Sequence, residues 1–172
     1  KTFFDLSFAE LSAILTDWGE PSFRAKQIWM NVYQNLNFDP ETISNIPKPL
    51  RLKIAETFTL TPLTVLRKVG SSSGLTEKYL FELSDKARIE AVLMRYRDRN
   101  TICISSQAGC AMNCAFCATG QMGLTRNLTS GEIAGQAFFF ADLLKREEKA
   151  LTNIVVMGMG EPFHNYDNLM KS

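Results

Sequence analysis

A chain of 172 residues that is 45% hydrophobic can bury one core or two small ones, which excludes general disorder. Nineteen basic and 18 acidic side chains leave a net charge of +1, so nucleic-acid binding cannot be argued from charge alone. No apolar run approaches the ~20 residues of a membrane-crossing helix, and no secretory signal is visible. The expectation is a cytoplasmic protein with no membrane partner.

The first 60 residues read as a small helical module. Ser7 and Glu10 have capping-box spacing, and Leu6 and Leu11 are placed to staple the same helix start. Gly19 and Pro21 end that helix. A second helix over about 22–35 puts Phe23, Ile28, Trp29 and Val32 largely on one side, with Arg24 and Lys26 near its start. Asp39-Pro40 is a cap followed by proline in a first turn, and Pro49 opens a further helix to about Phe58. Structural packing is the default role of this module; gripping a large substrate is the alternative.

Residues 61–100 read as a β-hairpin extension. From Leu63 the period changes to two. Tyr79, Phe81 and Leu83 alternate with Lys78, Leu80 and Glu82, a half-buried strand. Ser84–Ala87 is a turn, and Arg88–Tyr96 returns with Ile89, Ala91 and Leu93 on one face. Glu90 lies on the other face beside Val92 and Met94. It is an ordinary carboxylate reaching solvent or, if buried, a proton acceptor of raised pKa. Arg95, Arg97 and Arg99 form either a solvated turn or a phosphate-binding cluster.

Residues 101–172 read as the start of a parallel α/β unit. Thr101–Ser106 is a short strand leading into Cys110, Cys114 and Cys117, spaced C-x3-C-x2-C. Thr129 and Glu132 make a second capping box, and Ile133, Ala137, Phe140 and Leu144 give the helix behind it an apolar stripe. Leu151–Met157 suits a buried parallel strand, and it ends in Gly158-Met159-Gly160-Glu161-Pro162. Both the cysteine loop and the glycine turn follow strand C-terminal ends, where α/β sheets bind ligands, so they should face one cavity.

Three thiols on one loop match an iron–sulfur cluster with one iron left open to a small molecule. Structural zinc is the competing reading, but it takes four ligands. Only Cys103 and His164 could complete the set, and neither has a finger spacing. An amino acid chelating the open iron would need its ammonium held by carbonyls and a carboxylate; Glu161 and the backbone around Gly160 could supply them. Disulfides inside so tight a loop are disfavoured.

With both motifs in view, the sequence resembles the radical S-adenosylmethionine enzymes. Their cysteine loop appears as Cys110, Cys114, Phe116 and Cys117, and their second motif as Gly158–Pro162. Ile102–Cys110, GLTRNL at 123–128, NIVVMGMGEP at 153–162 and Phe23–Trp29 are similar to the RlmN/Cfr class of RNA methyltransferases. The resemblance implies an α/β fold in which the helical module and hairpin precede the first part of a partial (β/α)6 barrel.

The resemblance also implies methylation of an adenine carbon in 23S rRNA, carbon 2 in the RlmN type and carbon 8 in the Cfr type, with the RlmN type favoured and acting also on certain tRNAs. That chemistry takes the methyl group through a cysteine of the enzyme and begins with reductive cleavage of S-adenosylmethionine. It further implies a [4Fe–4S] cluster on Cys110, Cys114 and Cys117. The cofactor would meet Phe116, Gly158, Met159, Gly160 and Glu161. Glu90 matches a proton acceptor, and Cys103 matches the partner of the methyl-carrying cysteine, whence a disulfide. An electron donor such as flavodoxin and a monomeric state complete the expectation.

One departure matters. All four cysteines are already assigned, so the methyl-carrying one is expected beyond Ser172. At ~30 residues per βαβ unit, residues 101–172 cover about two barrel strands. The chain alone is therefore expected not to methylate RNA. Two rivals remain: a radical activase that makes a glycyl radical on a partner protein, and a zinc-stabilised RNA-binding module.

Overall fold

Ser7 and Glu10 cap each other as their spacing predicts. Glu10 donates its N–H to Ser7 Oγ at 3.2 Å, and the Glu10 carboxylate accepts the Ser7 N–H at 2.7 Å. These bonds start α1 (Phe8–Asp17), and the stapling pair Leu6 and Leu11 is buried beside it. The computed structural model describes residues 1–172 and divides into two units, Lys1–Thr61 and Pro62–Ser172.

In the first unit, α2 (Phe23–Tyr33) buries Ala25, Ile28 and Val32, and α3 (Lys48–Thr57) carries Pro49 in its first turn. Phe23 departs from the expected face. It is 53% exposed, and the Arg24 guanidinium lies 4.9 Å from its ring centroid. Fully buried Phe3 lies among Trp29, Tyr33 and Phe58 at centroid distances of 6.3, 6.1 and 5.9 Å. Thr2 bridges to Thr59, tying the two ends of the unit together.

The second unit is mixed α/β with a mostly antiparallel sheet. In chain order it holds β1 (Thr64–Gly70), β2 (Thr76–Glu82), β3 (Arg88–Arg95), β4 (Asn100–Cys103), β5 (Gln107–Gly109), α4 (Ala118–Gln121), β6 (Leu124–Asn127), α5 (Ser130–Arg146), β7 (Asn153–Val155) and α6 (Tyr166–Lys171). The main sheet runs β1-β2-β3-β4-β7; only β4 and β7 pair in parallel. β5 and β6 form a separate two-stranded ribbon.

Tyr79, Phe81, Ile89, Ala91 and Leu93 point one way from the sheet into a core with Ile133, Phe140 and Leu144 of α5. Phe81 meets Phe139 edge-to-face at 4.9 Å. Aromatic pairs of this geometry add to the burial that drives the packing. Thr129 and Glu132 cap α5 reciprocally, as their spacing predicts.

Two expectations need correction. Residues 151–157 form a strand of only three residues, paired in parallel with β4 but not buried: Ile154 is 48% exposed. Of the arginines at 95, 97 and 99, the first is not free for a phosphate. Arg95 is 14% exposed and held by Glu77 at 3.0 Å and Glu147 at 2.8 Å. Arg99 folds over the Tyr96 ring at 4.4 Å.

Candidate functional site

The site is built where β4 and β7 end. From β4 the chain runs through Ile104, Ser105 and Ser106 into β5, and Gly109, at φ +79, turns it into the cysteine loop. Only glycine suits that place, because an added Cβ would collide with the Gly123 carbonyl. The same carbonyl accepts the Cys110 N–H at 2.9 Å, closing the loop at its base. Cys110 is buried, Cys114 and Cys117 are partly exposed, and Cys117 donates its N–H to the Cys114 carbonyl at 3.0 Å.

All four cysteines are free thiols, so no disulfide forms within this chain, and the expected partner of Cys103 is not among them. Cys103 lies on β4, away from the loop, and no cysteine is bonded to it. Backbone N–H groups of Gly120 and Thr119 pull the Cys117 thiol below its ordinary pKa, toward the thiolate that a metal requires. Burial pushes the Cys103 thiol the other way.

The three loop thiols do not converge on one point, and no group of three or more His, Cys, Asp or Glu side chains stands ready to hold a metal ion. The donor set still fits an iron–sulfur cluster in kind: three unbonded thiols on one short loop. Phe116 projects from this loop and is 94% exposed.

The Gly158–Pro162 turn is stitched directly to the lead-in of the cysteine loop. Gly158 donates to the Ile104 carbonyl at 3.0 Å. The Met159 carbonyl accepts the N–H groups of Ser106 and Gln107 at 2.9 and 3.2 Å. The Met159 N–H bonds Ser105 Oγ at 2.8 Å, and the Glu161 N–H bonds Gln107 Oε1 at 2.9 Å. The sides on which these glycines lack a Cβ face the chain itself. A Cβ at Gly158 would lie 2.8 Å from the Ile104 carbonyl oxygen, and one at Gly160 would lie 2.6 Å from Gln107 Cβ.

Glu90 and Cys103 are brought to one face of the sheet. Val92 of β3 pairs with Cys103 of β4, and Glu90 lies two residues from Val92 on the same side, opposite α5. Glu90 is not buried. Its side chain is 40% exposed and pairs with Lys78 Nζ at 2.9 Å. Its carbonyl accepts a 2.6 Å bond from Ser105 Oγ, so one serine ties the Glu90 strand to the Met159 turn. A cavity of about 480 Å³ lies beside the motifs, lined among others by Arg88, Gly109, Met122 and Met159.

Residues 2–60 match the ribosomal RNA large subunit methyltransferase N-terminal domain. A probable dual-specificity RNA methyltransferase RlmN of Dictyoglomus thermophilum is 48% identical over 95% of this chain and 46% of its own length. Its counterpart in Chloroflexus aurantiacus is 45% identical over 97% of this chain and 46% of its own length. The crystal structure of a radical SAM methyltransferase from Sphaerobacter thermophilus superimposes with a TM-score of 0.94. It is 48% identical over 99% of this chain and 50% of its own.

Over nearly its whole length the chain is similar to proteins named RlmN, and its N-terminal residues match their N-terminal domain. It spans about half the length of the curated relatives it matches.

Several residues of the site were not singled out from the sequence. Ser105, Ser106, Gln107, Gln136 and Asn165 are all buried. Gln136 pairs with the Ser105 backbone on both sides, accepting its N–H at 2.9 Å and donating to its carbonyl at 2.9 Å. Asn165 donates to the carbonyls of Ser106 and Leu128 at 2.7 and 2.8 Å. The one available signal was a polar run, Ser105-Ser106-Gln107, directly after an apolar strand. Arg126, inside GLTRNL, binds Asp85 at 2.6 Å and Glu132 at 2.8 Å, joining the β2–β3 turn, β6 and the start of α5.

Proposed function

We propose that this chain supplies the cofactor-binding part of a radical S-adenosylmethionine methyltransferase that acts on carbon 2 of an adenine in 23S rRNA, and on tRNA. The observation that carries the reading is the direct bonding of two motifs. The segment leading into the three-thiol loop and the Gly158–Pro162 turn share the Met159 carbonyl, so both lie at one edge of one sheet. That edge is where α/β folds bind ligands.

In this reading Cys110, Cys114 and Cys117 hold a [4Fe–4S] cluster. When bound, the cluster supplies the electron for reductive cleavage of S-adenosylmethionine, and an electron donor such as flavodoxin recharges it. The backbone at Gly158, Met159 and Gly160 and the Glu161 carboxylate hold the cofactor's amino-acid end. Phe116, fully in solvent on the cysteine loop, packs beside its adenine. Glu90 takes the proton lost from the substrate adenine, with Lys78 fixing its orientation. Cys103 shares the Glu90 face and acts with a methyl-carrying cysteine that is not among the four thiols of this chain.

Anaerobic reconstitution with iron and sulfide tests the first half of the proposal. The expected product is a brown protein with about four irons per chain. A colourless protein holding one zinc refutes it. Transfer of label from methyl-labelled S-adenosylmethionine into RNA by the protein containing this chain tests the second half. Labelled cofactor cleaved without any label in RNA points to an activase and refutes methylation.

A further inference from the structure

We propose that Gln107 is a positioning residue that fixes the direction of the Gly160 carbonyl, and through it the seat of the cofactor's ammonium group. The inference rests on the proposed S-adenosylmethionine site and specifies how this chain shapes it.

Gln107 is 1% exposed, and both ends of its amide are committed. Its Nε2 donates to Asn127 Oδ1 at 2.7 Å, and its Oε1 accepts the Glu161 N–H at 2.9 Å. The order of donors is set from further away. Asn127 gives its own Nδ2 to the His164 carbonyl at 3.2 Å, so its oxygen is the end that faces Gln107. Gln107 must then present its nitrogen to Asn127 and its oxygen to Glu161. The relay from the His164 carbonyl to the Glu161 N–H runs in one direction only.

The consequence lies on the other side of the same peptide bond. The Gly160–Glu161 peptide is trans, as are all peptides of the chain. In a trans peptide the N–H and C=O point in opposite directions. With the Glu161 N–H drawn toward buried Gln107, the Gly160 carbonyl points away from it.

Such a tether is needed here more than elsewhere. Gly160 has φ +100, and no Cβ fits because Gln107 is already there. A glycine at that position leaves its following peptide free to rotate. The crowding that demands glycine thus also provides the group that restrains it. A carbonyl held in advance meets an ammonium without losing entropy on binding.

The test is Gln107→Met, close in volume and without either hydrogen bond. In the metal-free chain, the Glu161 amide should lose about tenfold or more of its protection from hydrogen exchange. Amides in the middle of α5 should keep theirs. In reconstituted protein, affinity for S-adenosylmethionine should fall about tenfold, the value of one charge-assisted hydrogen bond. Affinity for methylthioadenosine, which lacks the amino-acid group, should stay unchanged. If Gln107→Met does not fold by circular dichroism, Asn127→Ala removes the partner that orients Gln107 and should give the same pattern at smaller size. Unchanged Glu161 exchange, or equal losses for both nucleosides, overturns the positioning role while leaving the proposed function standing. Wild-type protein that binds neither nucleoside overturns both.

Discussion

Replacing Gln136 by Met should destabilise the second unit by roughly 3 kcal/mol, and the figure follows from its partners. Gln136 is fully buried on α5 and closes a two-bond ring with Ser105, both bonds 2.9 Å long. Ser105 is also fully buried, so no water can replace the lost partner. Methionine occupies similar volume but offers neither bond. Two orphaned backbone groups cost about 1–3 kcal/mol each. The apolar end of Met returns about 1 kcal/mol through burial. The balance is roughly 3 kcal/mol against a typical total of ~5–15 kcal/mol. With m near ~1–3 kcal/mol/M, the urea midpoint should fall by about 1–3 M.

The readout must follow the right part of the chain. Both tryptophans, Trp18 and Trp29, lie in the first unit, so their fluorescence reports that unit. Hydrogen exchange of amides in α5 and β3 reports the second. A loss below about 0.5 kcal/mol there, the scatter expected of surface substitutions, would refute the reasoning. It would mean that the Ser105 backbone finds another partner and that this bridge is not what joins α5 to the site.

Cys114→Ala should abolish iron binding on reconstitution, measured as iron per chain; iron content equal to wild type would remove Cys114 from the ligand set. Gly160→Ala should cost stability by ~1–3 kcal/mol, because φ +100 strains an L residue and its Cβ would come 2.6 Å from Gln107 Cβ; a thermal midpoint equal to wild type contradicts this. Glu90→Gln should leave cofactor cleavage intact and impair completion of the RNA product, with little effect on stability, since its pair with Lys78 is half in solvent; wild-type turnover in a labelled-RNA assay removes Glu90 from the mechanism. Asp85 is held at a pKa of about 2 by Arg126, below the ordinary carboxylate value of 3.8. A depressed carboxylate contributes stability above its unfolded pKa and loses it as pH falls through the folded one. Comparing urea midpoints of wild type and Asp85→Asn should therefore show an advantage for wild type above about pH 4 that disappears near pH 2; a difference independent of pH would break the link to Arg126.

Much of this protein was legible along the chain because the responsible forces act over a few residues. Ser7 with Glu10, and Thr129 with Glu132, cap their helices across one turn. The alternation of Tyr79, Phe81, Ile89, Ala91 and Leu93 marks a face that burial then fills. The spacing of Cys110, Cys114 and Cys117, and the glycines at 158 and 160, carry the resemblance on which the proposed chemistry rests, since one short loop and one turn hold them. What only the tertiary structure decided depends on residues 15 to 59 positions apart. Arg95 reads as a free cation until Glu77 and Glu147 reach it. Ser105, Gln107, Gln136 and Asn165 carry no periodic signal, because a buried amide matters through partners it finds in space. Hydrophobic pattern and capping are local and so leave a trace in the sequence; the satisfaction of buried polar groups is not, and it is what binds the thiol loop to the glycine turn.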